Sequence, residues 1–209
     1  MNNMIIKRLY EKGFLLLEDV TKVVKKTEPG SLKYLLWGEQ PSKQSISVKM
    51  GKWGEKWFAF LVEETPNFSM LPHGVLNGIG EDGKSKDIDF LFKDDINKIV
   101  YYREFKGNIE LDTEKLPATY EKIKFLKKYL KKEYPNYSLD YGCFNWCVFN
   151  KKPYVNEVRK YLNKIKKFEE NNVPVSFPCD MFKILGVDIT EKDYLNYFRK
   201  IGKKIETNN

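Results

Sequence analysis

The sequence predicts an α/β fold with a mixed central sheet flanked by helices. Three observations carry this expectation. Several stretches repeat apolar residues at helical spacing. Two short branched and aromatic runs, 87–92 and 99–106, flank the polar turn KDDIN and predict a β-hairpin. A third apolar run, GCFNWCVF at 142–149, reads as a buried strand.

Element by element, residues 4–26 predict a helix, because Leu9, Phe14, Leu16, Leu17, Val20, Val23 and Val24 recur on one side. Pro29-Gly30 breaks it. Residues 38–50 read as a polar loop, and Gly51 and Gly54 lead into a second helix from Glu55 to about Glu64, stopped by Pro66. Residues 67–84 are loop-like, with Pro72, Gly74, Gly78, Gly80 and Gly83. After the hairpin, Gly107-Asn108 ends the second strand, and a long helix runs from about Leu116 through Tyr134. Its apolar stripe is Tyr120, Ile123, Leu126 and Leu130; Pro117 suits a first turn and Pro135 closes it. Further helices are expected at 154–170 and after Thr190, where Thr190 and Asp193 make a near capping box. The order α–α–β–β–α–β–α–α predicts one domain over residues 1–209: a helical segment and loop (1–44), a core (45–150) and a helical C-terminal part (151–209).

Composition excludes several chemistries. His73 is the single histidine, so HNH nucleases, HExxH proteases and three-histidine zinc enzymes do not fit. Acids and bases therefore fall to carboxylates and lysines. The chain carries 37 Lys+Arg against 29 Asp+Glu, a net charge of +8. Only Arg8, Arg103, Arg159 and Arg199 are arginine, and such a lysine bias argues only weakly for a polyanion partner. A phosphate backbone suits the charge better than an acidic protein surface. No apolar run reaches membrane-spanning length. The first 20 residues lack a signal-peptide core, and Cys143, Cys147 and Cys179 are an odd set that reads as buried reduced thiols. Together these predict a cytoplasmic protein.

The hairpin concentrates unusual charge. Asp87 and Asp89 share one face of the first strand, and Glu104 and Lys106 share one face of the second. A turn centred between Ile96 and Asn97 sets Asp89 opposite Glu104, and Asp87 opposite Lys106. Opposed carboxylates repel unless a positive charge lies between them, and a divalent cation would supply it. On spacing alone, a solvated acidic and basic face of a surface hairpin fits equally well. Against that, Phe90, Phe92, Tyr101 and Phe105 make the other face apolar, and the hairpin lies between long helices that tend to cover both faces.

Asp89, followed fifteen residues on by Glu104-Phe105-Lys106, resembles the PD-(D/E)xK nuclease motif. Glu55, on the helix before the hairpin, matches the extra acid of many members, and a long helix and a strand follow the E-x-K in the family's order. Segments 45–55, 104–122 and 179–194 look like type II restriction endonucleases, and the resemblance covers roughly residues 45–200. Ile88 stands where the family has proline, and Asp87 remains an alternative to Asp89. The resemblance implies a restriction-endonuclease-like core and Mg²⁺-dependent hydrolysis of double-stranded DNA at a short specific site, by a homodimer. It implies 5′-phosphate and 3′-hydroxyl ends. It implies Asp89, Glu104, the Phe105 carbonyl and Glu55 as Mg²⁺ ligands, with Lys106 positioning the attacking water. A repair or junction-resolving nuclease of the same superfamily, or a non-catalytic DNA-binding protein of this fold, are the alternatives.

Other residues suit DNA contact. Gln40, Ser42, Lys43, Gln44, Ser45, Lys49 and Lys52 carry groups that read base edges and phosphates, so 40–52 is a candidate recognition loop, though an ordinary polar connection fits equally well. Lys115, Thr119 and Lys122 at the start of the long helix are candidate phosphate contacts, or a solvated helix face. His73 reads as a loop residue.

Overall fold

In a computed structural model of the chain, the described residues are 2–21, 26, 28–31, 35–36, 43–80, 83–107, 109, 115–151 and 165–207. In chain order the elements are helix α1 (Asn2–Thr21), helix α2 (Lys43–Glu64), strands β1 (Phe68–Met70), β2 (Gly74–Leu76), β3 (Lys86–Ile88), β4 (Phe90–Asp94) and β5 (Ile99–Lys106), helix α3 (Lys115–Glu133), strands β6 (Ser138–Asn145) and β7 (Val175–Ser176), and helices α4 (Pro178–Ile184) and α5 (Glu191–Thr207). Residues 165–170 are also helical. Two compact units emerge: Met1–Leu61 with Asp188–Asn209, and Val62–Val187.

The first unit is helical and built around aromatic rings. Trp53 and Trp57, one turn apart on α2, are buried and stack on each other, and Trp57 also stacks on Tyr197 of α5. Their indole N–H groups donate to α1 carbonyls, Trp53 to Gly13 and Trp57 to Leu9, both at 2.9 Å. A side chain at Gly13 would run into Tyr197 and both tryptophans, so glycine here permits the close approach. Thr190 caps α5 as its spacing with Asp193 predicts: the Asp193 N–H donates to Thr190 Oγ1 at 3.2 Å.

One sequence expectation is corrected in this unit. Residues 43–50, read as loop, are the opening turns of α2. Burial of Trp53, Trp57, Phe58 and Leu61 outweighs the low helix propensity of Gly51 and Gly54, so the helix runs back past both.

The second unit holds a mixed five-stranded sheet of order β1-β4-β5-β6-β7 and a separate β2–β3 pair. Strands β1, β4 and β5 are antiparallel, while β5, β6 and β7 run parallel. The hairpin register is the predicted one: Phe90 faces Arg103 and Asp94 faces Ile99, centring the turn between Ile96 and Asn97. The Asp94 carboxylate fixes that turn by accepting from the Ile96 N–H, the Asn97 N–H and the Asn97 side-chain amide at 2.9, 2.9 and 2.7 Å. Helix α3 covers one sheet face, where Leu91, Val100, Tyr102 and Cys143 pack with Tyr120, Ile123, Leu126 and Leu130. The other face carries a run of rings: Phe68, Phe92, Phe90, Phe105 and Phe144 touch in succession.

Three further differences follow from strand pairing. Asp87 does not face Lys106: β3 leaves the hairpin and pairs with β2, setting exposed Asp87 opposite Val75. Residues 67–84, read as loop, contribute β1 and β2. The strand expected at 142–149 begins at Ser138, because Ser138 to Asn145 align with Ile99 to Lys106; its half-exposed first residues hid it from a search for apolar runs. Most of the helix expected at 154–170 lies outside the described residues.

Candidate active site

The site forms where the hairpin's first strand breaks. Asp89 occupies the bend between β3 and β4, the position that continues the register to Glu104 of β5. The break turns the Asp89 side chain across the sheet, and its Oδ2 accepts the backbone N–H of Phe105 at 2.9 Å. Period-2 geometry sets Tyr102, Glu104 and Lys106 on the face covered by α3, and α3 contributes Lys122 from the edge of its apolar stripe.

Lys122 is the hub. Its Nζ lies 2.9 Å from Asp89 Oδ1 and 2.6 Å from Glu104 Oε2. The two carboxylate oxygens can therefore be no farther apart than those two bonds laid end to end. Lys106 Nζ holds the other Glu104 oxygen at 2.7 Å, and the Tyr102 hydroxyl donates to Glu104 Oε2 at 3.2 Å. Glu104 is nearly sealed, at 3 % side-chain exposure, while Lys106 and Lys122 keep 22 % and 23 %. The two lysine side chains are thus more exposed than the acids they hold.

The two carboxyl groups sit in different electrostatic states. Burial, reinforced by the charge of Glu104, pushes Asp89 above the ordinary aspartate range despite Lys122 and Lys106. Burial also works to raise Glu104, but the ammonium groups of Lys106 and Lys122 together hold it below the ordinary glutamate range. Burial opposes the charge on Lys122, yet Glu104 and Asp89 raise it above an ordinary lysine. Tyr102 is driven far up by burial and by both carboxylates, so it stays a hydrogen-bond donor.

The structure thus gathers Asp89, Glu104, Phe105 and Lys106, and separates Asp87 from them. Lys122, a candidate phosphate contact in the sequence, bridges the two acids; Tyr102 has no place in the sequence reading, although its position two before Glu104 on the same strand face was a usable signal. Glu55 is half-buried on the part of α2 that belongs to the first unit. Ser45, Lys49 and Lys52 are on the same helix, as is the backbone of Lys43 and Gln44, whereas Gln40 and Ser42 lie outside the described residues. Thr119 is buried in α3, and Lys115 opens that helix. His73 is exposed, with Nδ1 2.8 Å from the Leu71 carbonyl. Arg103 is buried and pairs with Asp140 at 2.9 Å. Among the described residues no helix is long and apolar enough to cross a membrane.

The donor set fits a hard divalent cation. Both acids already converge on one positive centre, the Lys122 ammonium, and both offer oxygen. Among the described residues no group of three or more His, Cys, Asp or Glu side chains forms, so water and backbone oxygen would complete a shell here, as Mg²⁺ tolerates. Compared with known proteins, the chain matches no protein-family model and no curated protein.

Proposed function

We propose that the chain is a Mg²⁺-dependent deoxyribonuclease of the PD-(D/E)xK type, cutting double-stranded DNA at a short specific site in the manner of a type II restriction endonuclease, as a homodimer. The observation that carries this reading is the convergence of Asp89 and Glu104 on one positive group, the Lys122 ammonium, with Lys106 Nζ 2.7 Å from Glu104. An acid pair able to share a divalent ion, with a lysine beside it, is one arrangement that can hydrolyse a phosphodiester.

Asp89 and Glu104 would hold Mg²⁺, with the Phe105 carbonyl as a backbone donor. Bound there, the ion supplies Lewis acidity to the phosphate oxygens and lowers the pKa of water. The chain's own groups do the rest. The Phe105 N–H holds Asp89 in one rotamer, and Tyr102 orients Glu104. Lys106 offers a fixed donor to an incoming water and offsets the negative charge that grows on the phosphate as the new bond forms. Ser45, Lys49 and Lys52, with Gln40, Ser42, Lys43 and Gln44, are proposed to contact DNA; two-fold symmetry would match a palindromic site.

One observation favours a second reading. Lys122 and Lys106 already neutralise Asp89 and Glu104 formally, so the cluster is self-sufficient as a structural ion network, as in a non-catalytic DNA-binding protein of this fold. Digestion of plasmid DNA separates the readings. Discrete bands with Mg²⁺ that disappear in Lys106→Ala support the restriction enzyme. A smear or structure-dependent nicking favours a repair or junction-resolving nuclease, and binding without cutting favours the non-catalytic protein.

A further inference from the structure

Lys122 lines more than the acid pair. It also lines a pocket of about 300 Å³, together with Lys84, Lys86, Ala118, Glu121 and Phe125. Lys86 Nζ lies over the Phe125 ring at 5.4 Å, and the Gly80 N–H donates to the Lys84 carbonyl at 2.8 Å, which fixes that backbone at the pocket rim. Lys84, Lys86 and Lys122 line it beside one glutamate, Glu121, itself 3.1 Å from Lys124, so a Lys122 head turned away from the acids would leave the lining suited to an anion. We propose that Lys122 is the resident cation of the metal site, that a divalent ion must displace its ammonium from Asp89 and Glu104, and that the displaced ammonium completes with Lys84 and Lys86 a subsite for a DNA phosphate beside the scissile one. This inference rests on the nuclease reading above.

The geometry leaves little alternative route for a metal. The Lys122 ammonium occupies the bridging point itself, within hydrogen-bond distance of one oxygen from each acid. A dication sharing that point with the ammonium would face strong repulsion at a few ångströms. Lys122 has an unbranched stem of rotatable bonds and solvent on the pocket side, so its head can swing while the backbone of α3 stays put. Formal charge gives the coupling its direction. The quartet Asp89, Glu104, Lys106 and Lys122 is neutral, so a divalent ion leaves an excess of two positive charges, which favours a phosphate next to it.

The unaltered protein provides the first test. With ¹⁵N-labelled lysine, the Lys122 ammonium should give a protected NMR resonance without divalent ion, assigned by its absence in Lys122→Met. Mg²⁺ should abolish or shift that resonance in step with saturation. A resonance that stays unchanged while Mg²⁺ binds overturns the inference and leaves the nuclease reading standing. Mn²⁺ titration followed by electron paramagnetic resonance should show roughly tenfold tighter binding in Lys122→Met; equal or weaker binding contradicts displacement. Absence of Mn²⁺ binding in the unaltered protein and in Lys122→Met overturns both the inference and the metal-dependent reading. For the pocket, Lys86→Ala and Lys84→Ala should each lower the slope of log affinity against log salt for a DNA duplex in Ca²⁺, and combined should lower it by about one. An unchanged slope in both removes the phosphate subsite.

Discussion

Asp89 Oδ2 accepts the backbone N–H of Phe105 at 2.9 Å, so the acid at the bend between β3 and β4 is fixed by the Glu104–Phe105 peptide of β5. The bond locks the spacing of the acid pair to the backbone of β5. Asp89→Asn keeps an acceptor there and should leave stability close to the unaltered protein while Mg²⁺-dependent cleavage falls at least about a hundredfold. Asp89→Ala leaves the amide without that acceptor and should cost about 1–3 kcal/mol, read by urea unfolding. Equal stability losses in both variants would contradict this role.

Glu104 is shared by Lys106 and Lys122. Glu104→Gln leaves both ammonium groups short of a partner in a poorly hydrated site. We expect a loss of about 2–3 kcal/mol, below the full cost of breaking a buried pair because both lysines keep some solvent, together with loss of cleavage. A variant as stable as the original in urea would show that the network holds no folding energy.

Asp94 gives a pH-dependent prediction away from the site. Its burial works to raise the carboxyl, but bonds from Asn97 and Ile96 outweigh it and hold the group below the ordinary aspartate range. A depressed carboxyl stabilises the fold above its unfolded pKa, about 3.9, and that stability is lost as pH falls through the lower folded value. Asp94→Asn should cost about 1–2 kcal/mol near neutral pH. The gap in thermal midpoint between the two proteins should close as pH drops below the ordinary aspartate range. A gap independent of pH would contradict it.

Gly142 lies where β6 approaches the chain before β7, and a side chain there would collide with the Pro174 carbonyl. That carbonyl accepts the Cys143 N–H at 2.9 Å. Gly142→Ala should destabilise the fold by about 1–3 kcal/mol and speed proteolysis near 174. Unchanged unfolding would show that the segment yields freely.

The sequence made the hairpin legible because both of its signals are local. Branched and aromatic residues open β5 ahead of the charges at Arg103, Glu104 and Lys106, and a polar turn fixes the register through Asp94. The same locality explains what it hid. Asp87 and Asp89 look equivalent by period 2, and only the pairing of β3 with β2 separates them. The sequence marks Lys122 only as one of the lysines that could meet a phosphate; its bridge between the acids depends on how α3 lies over β5 and β6. The start of α2 was obscured by Gly51 and Gly54, whose propensity is overruled by tryptophans that bury later in the helix.

The central claim is tested most directly by incubating supercoiled plasmid DNA with the full chain and Mg²⁺ or Mn²⁺, beside Lys106→Ala. The account predicts discrete fragments bearing 5′-phosphate and 3′-hydroxyl ends, abolished by chelation and reduced at least about a hundredfold in the variant. DNA that stays intact with every divalent ion, or that is cut equally well by Lys106→Ala, would contradict it.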